Sequence, residues 1–567
     1  MALHPNPQTQ TRVLLLVACC GFLFFYGLGS FGLVGADEPR YAQVAREMLS
    51  RHDWITPTLQ GQAWLEKPVL YYWQAMFSFR LGGMTSQMAR IPSALDASLL
   101  VAVIYFFLRR FYPGSEVDGA VITASSAGII AFARAAATDM ALAATLSIAL
   151  LAWYAWYEAG QANLTTADKR SYLAIFYVFL ALGTLAKGPV APAFAAIIIF
   201  IFCMCLKDWS QLKQTFWAPG IALYLVVVLP WYVAVQLRNP EFFRVFILQH
   251  NLARFSQDVY HHRQPFWFYG PVFLLAMLPW SFVLLVTVVV RLRDILARRK
   301  NRFSYPRFSW QIFLFVWMTI PIAFFSVSQS KLPGYILPSV PAGALLIADY
   351  LASLRREQTR IEPQSQREPR EREPREPEPH EHRLWRYVAV GHGLLCGLLI
   401  FIACLTPGLL VLHRPLAGRT TYIGALLGVL SSIVMSATLL SRSGLRLLSR
   451  VTLIAVVISV AVVVRLGAPI IDATQSAYPI AESIQAFSRE SVPLAVYGIN
   501  RAQQYGLEFY LNKAAQAYEK GSIPTAPHVL VTRQNSQAEV ATAVPGRRVS
   551  YLASFPAQKL DLYWIGK

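Results

Sequence analysis

One feature recurs almost to the end of the chain: apolar runs long enough to cross a bilayer. A helix rises roughly 1.5 Å per residue, so about 20 mostly apolar residues cover the hydrocarbon core, where the backbone must satisfy its own polar groups. About 13 such stretches can be marked, near 12–34, 88–108, 117–133, 140–157, 172–186, 189–206, 217–236, 266–290, 309–327, 334–354, 385–406, 421–440 and 451–470. The fifth and sixth share one apolar field interrupted by "LAKGPVAP". This is the pattern of a polytopic α-helical membrane protein, and a composition of 55% hydrophobic and 14% charged residues agrees with it. The first run continues well past Cys19, which fits an uncleaved span better than the short core of a secretion signal.

Lys and Arg orient the spans. Dense clusters fall in "RLRDILARRKNR" at 291–302, "SRSGLRLLSR" at 441–450 and the Arg-rich stretch 355–386, whereas the loops 133–139, 327–333 and 407–420 are nearly bare. The clusters belong in the cytoplasm. An odd number of spans then places the first loop, 35–87, and the C-terminal segment, 471–567, on the outer face. The net charge of +20 is mostly charge at the inner membrane surface, without the interleaved aromatic and basic residues that nucleic acid binding requires. All six cysteines lie in apolar runs, which argues against a disulfide scaffold.

Four regions follow: a transmembrane unit 1–354 that includes the first loop 35–87, a charged cytoplasmic linker 355–384, distal transmembrane helices 385–470, and an outer α/β domain 471–567. The linker, "REQTRIEPQSQREPREREPREPEPHEHR", is low in complexity and too charged to pack. In the last region the short β-like runs "PLAVYGI", "HVLVTR", "RVSYLASF" and "LDLYWIG" alternate with helical stretches such as "IAESIQAFS". In the first loop, Tyr41, Val44, Ala45, Met48 and Leu49 recur at helical spacing with Arg40, Gln43, Arg46, Glu47 and Ser50 opposite, which predicts a helix lying flat on the membrane.

Charged groups near a membrane core are costly, so their positions are informative. Asp37, Glu38, Arg40, Glu66, Lys67, Arg134, Asp139, Lys187, Arg254 and Lys331 gather in the outer loops or outer ends of spans, and almost no acidic residue falls mid-span. An enzyme at the outer interface fits this better than an ion-coupled transporter. Spacing alone leaves blander readings open. Asp37 and Glu38 also read as first-turn helix acids, Asp139 as a cap, Glu66 and Lys67 as a surface ion pair, and Tyr335 as an interfacial anchor. His250, His261 and His262 read as a wet outer loop rather than a zinc site.

The stretches "DEPRYAQVAREML", "DWITPTLQGQAWLEKPVLYYW", "ARAAATDM", "LAKGP", "HNLARF" and "SQSKLPGYILP" resemble, in order over about residues 12–350, the GT-C glycosyltransferases that use polyprenyl-phosphate sugars. The resemblance is closest to the lipid A 4-amino-4-deoxy-L-arabinose transferases, relatives of the protein O-mannosyltransferases. It implies the GT-C fold, about 13 transmembrane helices with a small C-terminal α/β periplasmic domain, and catalysis by 1–354. It also implies transfer of a sugar, favoured as 4-amino-4-deoxy-L-arabinose, from undecaprenyl phosphate to lipid A or a related acceptor at the periplasmic face of the bacterial inner membrane. Asp37, Glu38 and Asp139 match the catalytic positions. Arg40, Lys67, Lys187, Arg254, Lys331 and Tyr335 match those around the lipid phosphate, and Glu66 is a candidate ligand for a divalent metal; no other cofactor is implied. The chain departs from the pattern at Trp64 and Leu65, and its distal spans and C-terminal domain carry no matching motif.

The chemistry agrees. A departing lipid phosphate needs positive charge more than a proton, which Arg and Lys supply. The sugar passes through an oxocarbenium-like state that a carboxylate stabilises, or the carboxylate takes a proton from the acceptor; Asp37 is the first candidate. If the acceptor is itself a phosphate no base is needed, and Asp37 orients groups instead. Protein O-mannosylation is the enzymatic alternative. A flippase or transporter of lipid-linked sugars is the alternative of another class, against which the lack of mid-span acids and of an evident internal repeat counts.

Overall fold

A computed structural model describes residues 7–161, 166–253, 264–297, 307–361, 380–410, 419–441, 443–487 and 492–567. Among them, nine helices are long and apolar enough to cross a membrane, from Ser86–Phe111 to Gly444–Gln475. The shorter apolar helices Gln10–Phe25 and Val190–Leu206 and two bent helix pairs fall on the remaining expected segments. The chain is a multi-pass helical membrane protein. At its centre Thr138–Gln161 is buried along its whole span. Alanines at 141, 143, 144, 149, 152 and 155 let its neighbours approach, and Trp153 meets Phe202 and Phe313 with ring centroids 5.6 and 5.8 Å away.

Two expected spans need correction. The stretch 117–133 is not one helix: Glu116–Ser125 meets Ala127–Ala133 at 62°, with Ser126 in an extended backbone conformation. The stretch 266–290 is bent by 114° between Phe266–Ala276 and Ser281–Leu296. Pro279, in that second break, has no N–H with which to continue a helical ladder. The two breaks complete each other. The Ala127 N–H donates to the Leu278 carbonyl at 2.9 Å, and the Trp280 indole N–H donates to the Ser125 hydroxyl at 2.9 Å. Broken helices survive at membrane depth only where protein supplies the missing partners.

The C-terminal domain carries a five-stranded sheet in the order Ala515–Ala517, Leu494–Tyr497, His528–Arg533, Leu560–Ile565, Val549–Phe555. The first three strands run parallel and the last two join antiparallel. Four coincide with the expected β-like runs; Ala515–Ala517 is a short edge strand without an apolar run to announce it. The last apolar helix runs on to Gln475, past the expected end at 470.

This domain sits on the first loop. Helix Asp37–Ser50 packs on Leu70–Gly82 and on Arg501–Leu511 of the C-terminal domain. The Arg46 guanidinium lies 4.6 Å from the Phe509 ring centre and donates to the Phe509 carbonyl. The expectation that this helix lies flat on lipid is therefore corrected: its apolar residues Tyr41, Val44, Ala45 and Met48 are buried in protein rather than turned to the membrane, and Gln43, expected on the polar face, is buried as well. The contact also puts the first loop and the C-terminal domain on one side of the membrane, as an odd number of spans requires.

Candidate active site

Adjacent helix residues point about 100° apart, and this separates the two carboxylates that open Asp37–Ser50. Asp37 faces outward, with 57% of its side chain exposed, and pairs with Arg40 one turn later. The Arg40 guanidinium lies 5.1 Å from the ring centres of both Tyr41 and Trp64 and feels the charge of Glu66. Tyr41 and Tyr72 are fully buried in this cluster. Burial, reinforced at Tyr41 by Asp37 and at Tyr72 by Glu66, pushes both phenols well above their usual range, so both stay neutral hydrogen-bonding groups. The Arg40 Nε, the Trp64 indole nitrogen and the Tyr72 hydroxyl are buried without a partner among the described residues. An unmet buried polar group costs about 1–3 kcal/mol.

A second set stands at the helix ends facing the loop. Asp139, in the first turn of Thr138–Gln161, accepts a 2.6 Å hydrogen bond from Lys187, which ends Thr166–Lys187 where the helix dipole favours a cation. The Lys187 ammonium also lies 5.1 Å from the Tyr335 ring centre. Gly334 explains the glycine of "KLPGY": a Cβ there would come 2.5 Å from Asp139 Oδ1 and 2.8 Å from the Phe132 ring. The charges of Asp37 and of Asp139 both act on the buried Tyr41 phenol and help keep it protonated.

Glu38 turns inward. Its carboxylate accepts hydrogen bonds from Arg90 at 3.0 and 2.7 Å, from the Val34 N–H at 2.8 Å and from the Ala136 N–H at 2.8 Å. Arg90 uses all of its N–H groups, the others donating to the carbonyls of Leu28, Phe31 and Gly32 at 3.0, 2.9 and 2.8 Å. A charged pair is tolerated in a buried site when every remaining lone pair and proton is met, as here. The expected catalytic pair Asp37 and Glu38 is thus divided between an open carboxylate and one whose acceptors are taken. One ion pair anchors both candidate carboxylates, since Asp37 adjoins Glu38 and Ala136 leads into Thr138 and Asp139. Sequence reading missed Arg90; the signal was an arginine at the start of the apolar run 88–108, where an unpartnered charge would be costly.

Behind Glu38 and Arg90 opens an apolar cavity of about 560 Å³. Both helix breaks and the distal helices wall it, through Ala127, Leu278, Leu399 and Val460, and Arg134 joins its polar end. Lys331 is buried and donates to the Ser328 carbonyl at 2.6 Å, and the Tyr335 ring packs tilted against Phe325 with centroids 4.8 Å apart. Lys67 and Glu66 are half-buried beside the cluster. Arg254, His261 and His262 lie outside the described residues. Among the described residues no three His, Cys, Asp or Glu side chains gather as metal ligands, and Glu66 has a guanidinium as neighbour. That donor set does not fit a divalent cation seeking about six oxygens.

The sequence profile of the dolichyl-phosphate-mannose-protein mannosyltransferase family matches residues 10–246. An undecaprenyl phosphate-alpha-4-amino-4-deoxy-L-arabinose arabinosyl transferase of Pseudomonas aeruginosa (strain UCBPP-PA14) is 32% identical over 361 residues, which are 62% of this chain and 61% of that protein. The match thus spans about three fifths of the curated relative's length, 61%. Among solved structures, ArnT from Cupriavidus metallidurans in the apo state superposes with a TM-score of 0.72 at 20% identity, covering 98% of each chain. The same protein bound to undecaprenyl phosphate gives 0.71 at 21% identity, over 99% of this chain and 98% of that one.

Proposed function

We propose, for a chain related in sequence to the undecaprenyl phosphate aminoarabinose transferases and built on the GT-C glycosyltransferase fold, that it transfers a sugar from undecaprenyl phosphate to lipid A or a related acceptor. The favoured sugar is 4-amino-4-deoxy-L-arabinose, and the favoured place is the periplasmic face of the bacterial inner membrane. One observation carries the reading: an open carboxylate, Asp37, stands among cations and unmet polar groups, while its neighbour Glu38 closes the polar end of an apolar cavity suited to a lipid chain. The names of the relatives support the donor.

In the reaction, the bond between the anomeric carbon and the lipid-phosphate oxygen breaks with its electron pair staying on the phosphate, and an oxygen of the acceptor bonds to the anomeric carbon in its place. Lys67, Lys187 and Arg254 are assigned to that growing charge, with Lys331 and Tyr335 beside them. Asp37 faces the oxocarbenium-like sugar, and with a hydroxyl acceptor it also takes the proton. Arg40, ion-paired to Asp37, is assigned to aim that carboxylate rather than to grip the lipid phosphate. Asp139 holds Lys187 in place. Glu38 serves as anchor.

The test uses purified protein, lipid-linked aminoarabinose and lipid A in detergent micelles, where no sealed compartment exists for a transporter to work across. Mass spectrometry should find lipid A carrying the sugar; no product from any lipid-linked sugar and acceptor would return the chain to the transporter class. The mannosyltransferase profile over 10–246 makes mannosyl lipid with a protein acceptor the second pair to assay. Lys67→Ala should lose about 2–4 kcal/mol of transition-state stabilisation, the scale of a donor aimed at developing charge. Transfer near the wild-type rate in that variant would place the phosphate elsewhere.

The sidedness is tested separately. Cysteines introduced in 357–383 and in 492–567 should differ in intact spheroplasts, with an impermeant maleimide labelling only the second. Labelling of the linker would overturn the orientation.

A further inference from the structure

The C-terminal domain grips the backbone that leads into Asp37. The Gly32 N–H donates to Asp472 at 2.8 Å, the Leu33 N–H donates to the Tyr510 hydroxyl at 2.6 Å, and Val34 forms an antiparallel bridge with Ser476. The next links run inward, since the Gly32 carbonyl accepts from Arg90 and the Val34 N–H donates to Glu38. Three successive residues are therefore tied on one side to the last helix and C-terminal domain, and on the other to the ion pair that anchors both candidate carboxylates. Gly32 shows how tight the seat is: a Cβ would collide with Ser476 Oγ and stand 2.7 Å from the Tyr510 hydroxyl and 2.8 Å from Tyr478 Cβ. The same domain helix, Arg501–Leu511, also holds the far side of the first loop, where Gln60 donates to Glu508 and Arg46 to the Phe509 carbonyl.

We infer that Tyr510 is a positioning residue for the transfer reaction: its hydroxyl fixes the loop Gly32–Val34, so that the C-terminal domain sets where Asp37 stands. The inference rests on the proposed transferase reading. A backbone N–H has one direction, and the Tyr510 oxygen meets it without itself entering the cluster of Asp37, Arg40 and Tyr41. Loss of that oxygen frees the loop while leaving the ring packed against Tyr478 and Phe509, whose centroids lie 5.1 and 5.2 Å away. Small misplacements of a reacting group are expensive in rate and cheap in ground-state binding, so the signature is a fall in kcat with little change in KM.

The experiment measures transfer kinetics of the full-length protein and its Tyr510→Phe variant in micelles, with lipid-linked aminoarabinose as donor. Tyr510→Phe should lower kcat by about 10- to 100-fold, the scale of a misaligned group, with the donor KM within about twofold and the protein still monodisperse. A second variant joins Val34→Cys to Ser476→Cys. Residues facing each other across an antiparallel bridge lie about 4.5–5.5 Å apart at Cα, within disulfide reach. Oxidation of that pair in the Tyr510→Phe background should restore kcat, and reduction should remove the gain, a rescue that lost packing would not show. Wild-type kcat in Tyr510→Phe, or a fall that the disulfide leaves unrescued, overturns the inference. Wild-type protein that transfers no sugar overturns the transferase reading itself, a separate outcome.

Discussion

Asp37→Asn protein is expected to fold, to bind undecaprenyl phosphate, and to transfer sugar at least about a hundredfold more slowly than wild type, the lower scale of acid–base contributions. The change keeps the shape of the side chain and its ability to accept from Arg40, and removes only the charge. Its structural cost is small for two reasons. Asp37 is more than half exposed, so solvent screens its side of the i,i+3 pairing with the more buried Arg40. Its first-turn position adds a helix-dipole effect of about 0.3–1 kcal/mol. A rate loss far beyond that figure with an unchanged melting profile means that the charge acts on the transition state. Full activity in Asp37→Asn would return the residue to the role of helix acid and move the chemistry to Asp139. Binding of undecaprenyl phosphate, measured on the same preparation, separates a lost reaction from a lost substrate.

The second large effect is on stability. Arg90→Ala should destabilise the protein by about 3–5 kcal/mol, because it leaves the Glu38 charge buried without its partner. Three carbonyls, of Leu28, Phe31 and Gly32, lose their donor as well. Thermal unfolding in detergent, followed by the loss of the monodisperse peak, reads this directly. The informative companion is the double variant Glu38→Leu with Arg90→Met, which removes both charges and should recover part of the loss, as a buried pair replaced by apolar groups does elsewhere. Arg90→Ala that melts with wild type would show that the pair is not the anchor of the two carboxylate-bearing segments. Asp37→Asn should not share this defect, and the contrast between neighbouring carboxylates is the sharpest check on the division of roles at residues 37 and 38.

What the sequence reading found of the site was chemical type and neighbourhood. It collected Asp37, Arg40, Lys67, Asp139, Lys187 and Tyr335 from motifs far apart in the chain, and the structure pairs Asp37 with Arg40 and joins Asp139, Lys187 and Tyr335 in a second set. It could not distribute the roles. Arg40 fits a phosphate ligand by type and pairs with Asp37; Lys331 fits one too and gives one of its protons to the Ser328 carbonyl. Such partnerships depend on rotamers and on which face of a turn points where, and a list of residue types carries neither. Trp64, at a departure from the pattern of the resemblance, has the Arg40 guanidinium over its ring.

By itself the sequence determined the helical membrane architecture, the approximate position of the apolar helices, the common side of the first loop and C-terminal domain, and four of the five strands of the C-terminal sheet. These are written in local quantities: the length of an apolar run, the side on which Lys and Arg accumulate, the alternation of a short strand. The tertiary structure alone decided which of two adjacent carboxylates is open, that Arg90 closes the other, that two apolar runs bend and complete each other's hydrogen bonds, and that helix Asp37–Ser50 buries its apolar face in protein and packs on the C-terminal domain. The reason is the range over which buried polar groups find partners. Glu38 meets Arg90 across 52 residues and the Ala136 N–H across 98, and Leu33 meets Tyr510 across 477. A buried donor or acceptor must be satisfied, but nothing local says by which residue, and only the packed chain supplies the answer.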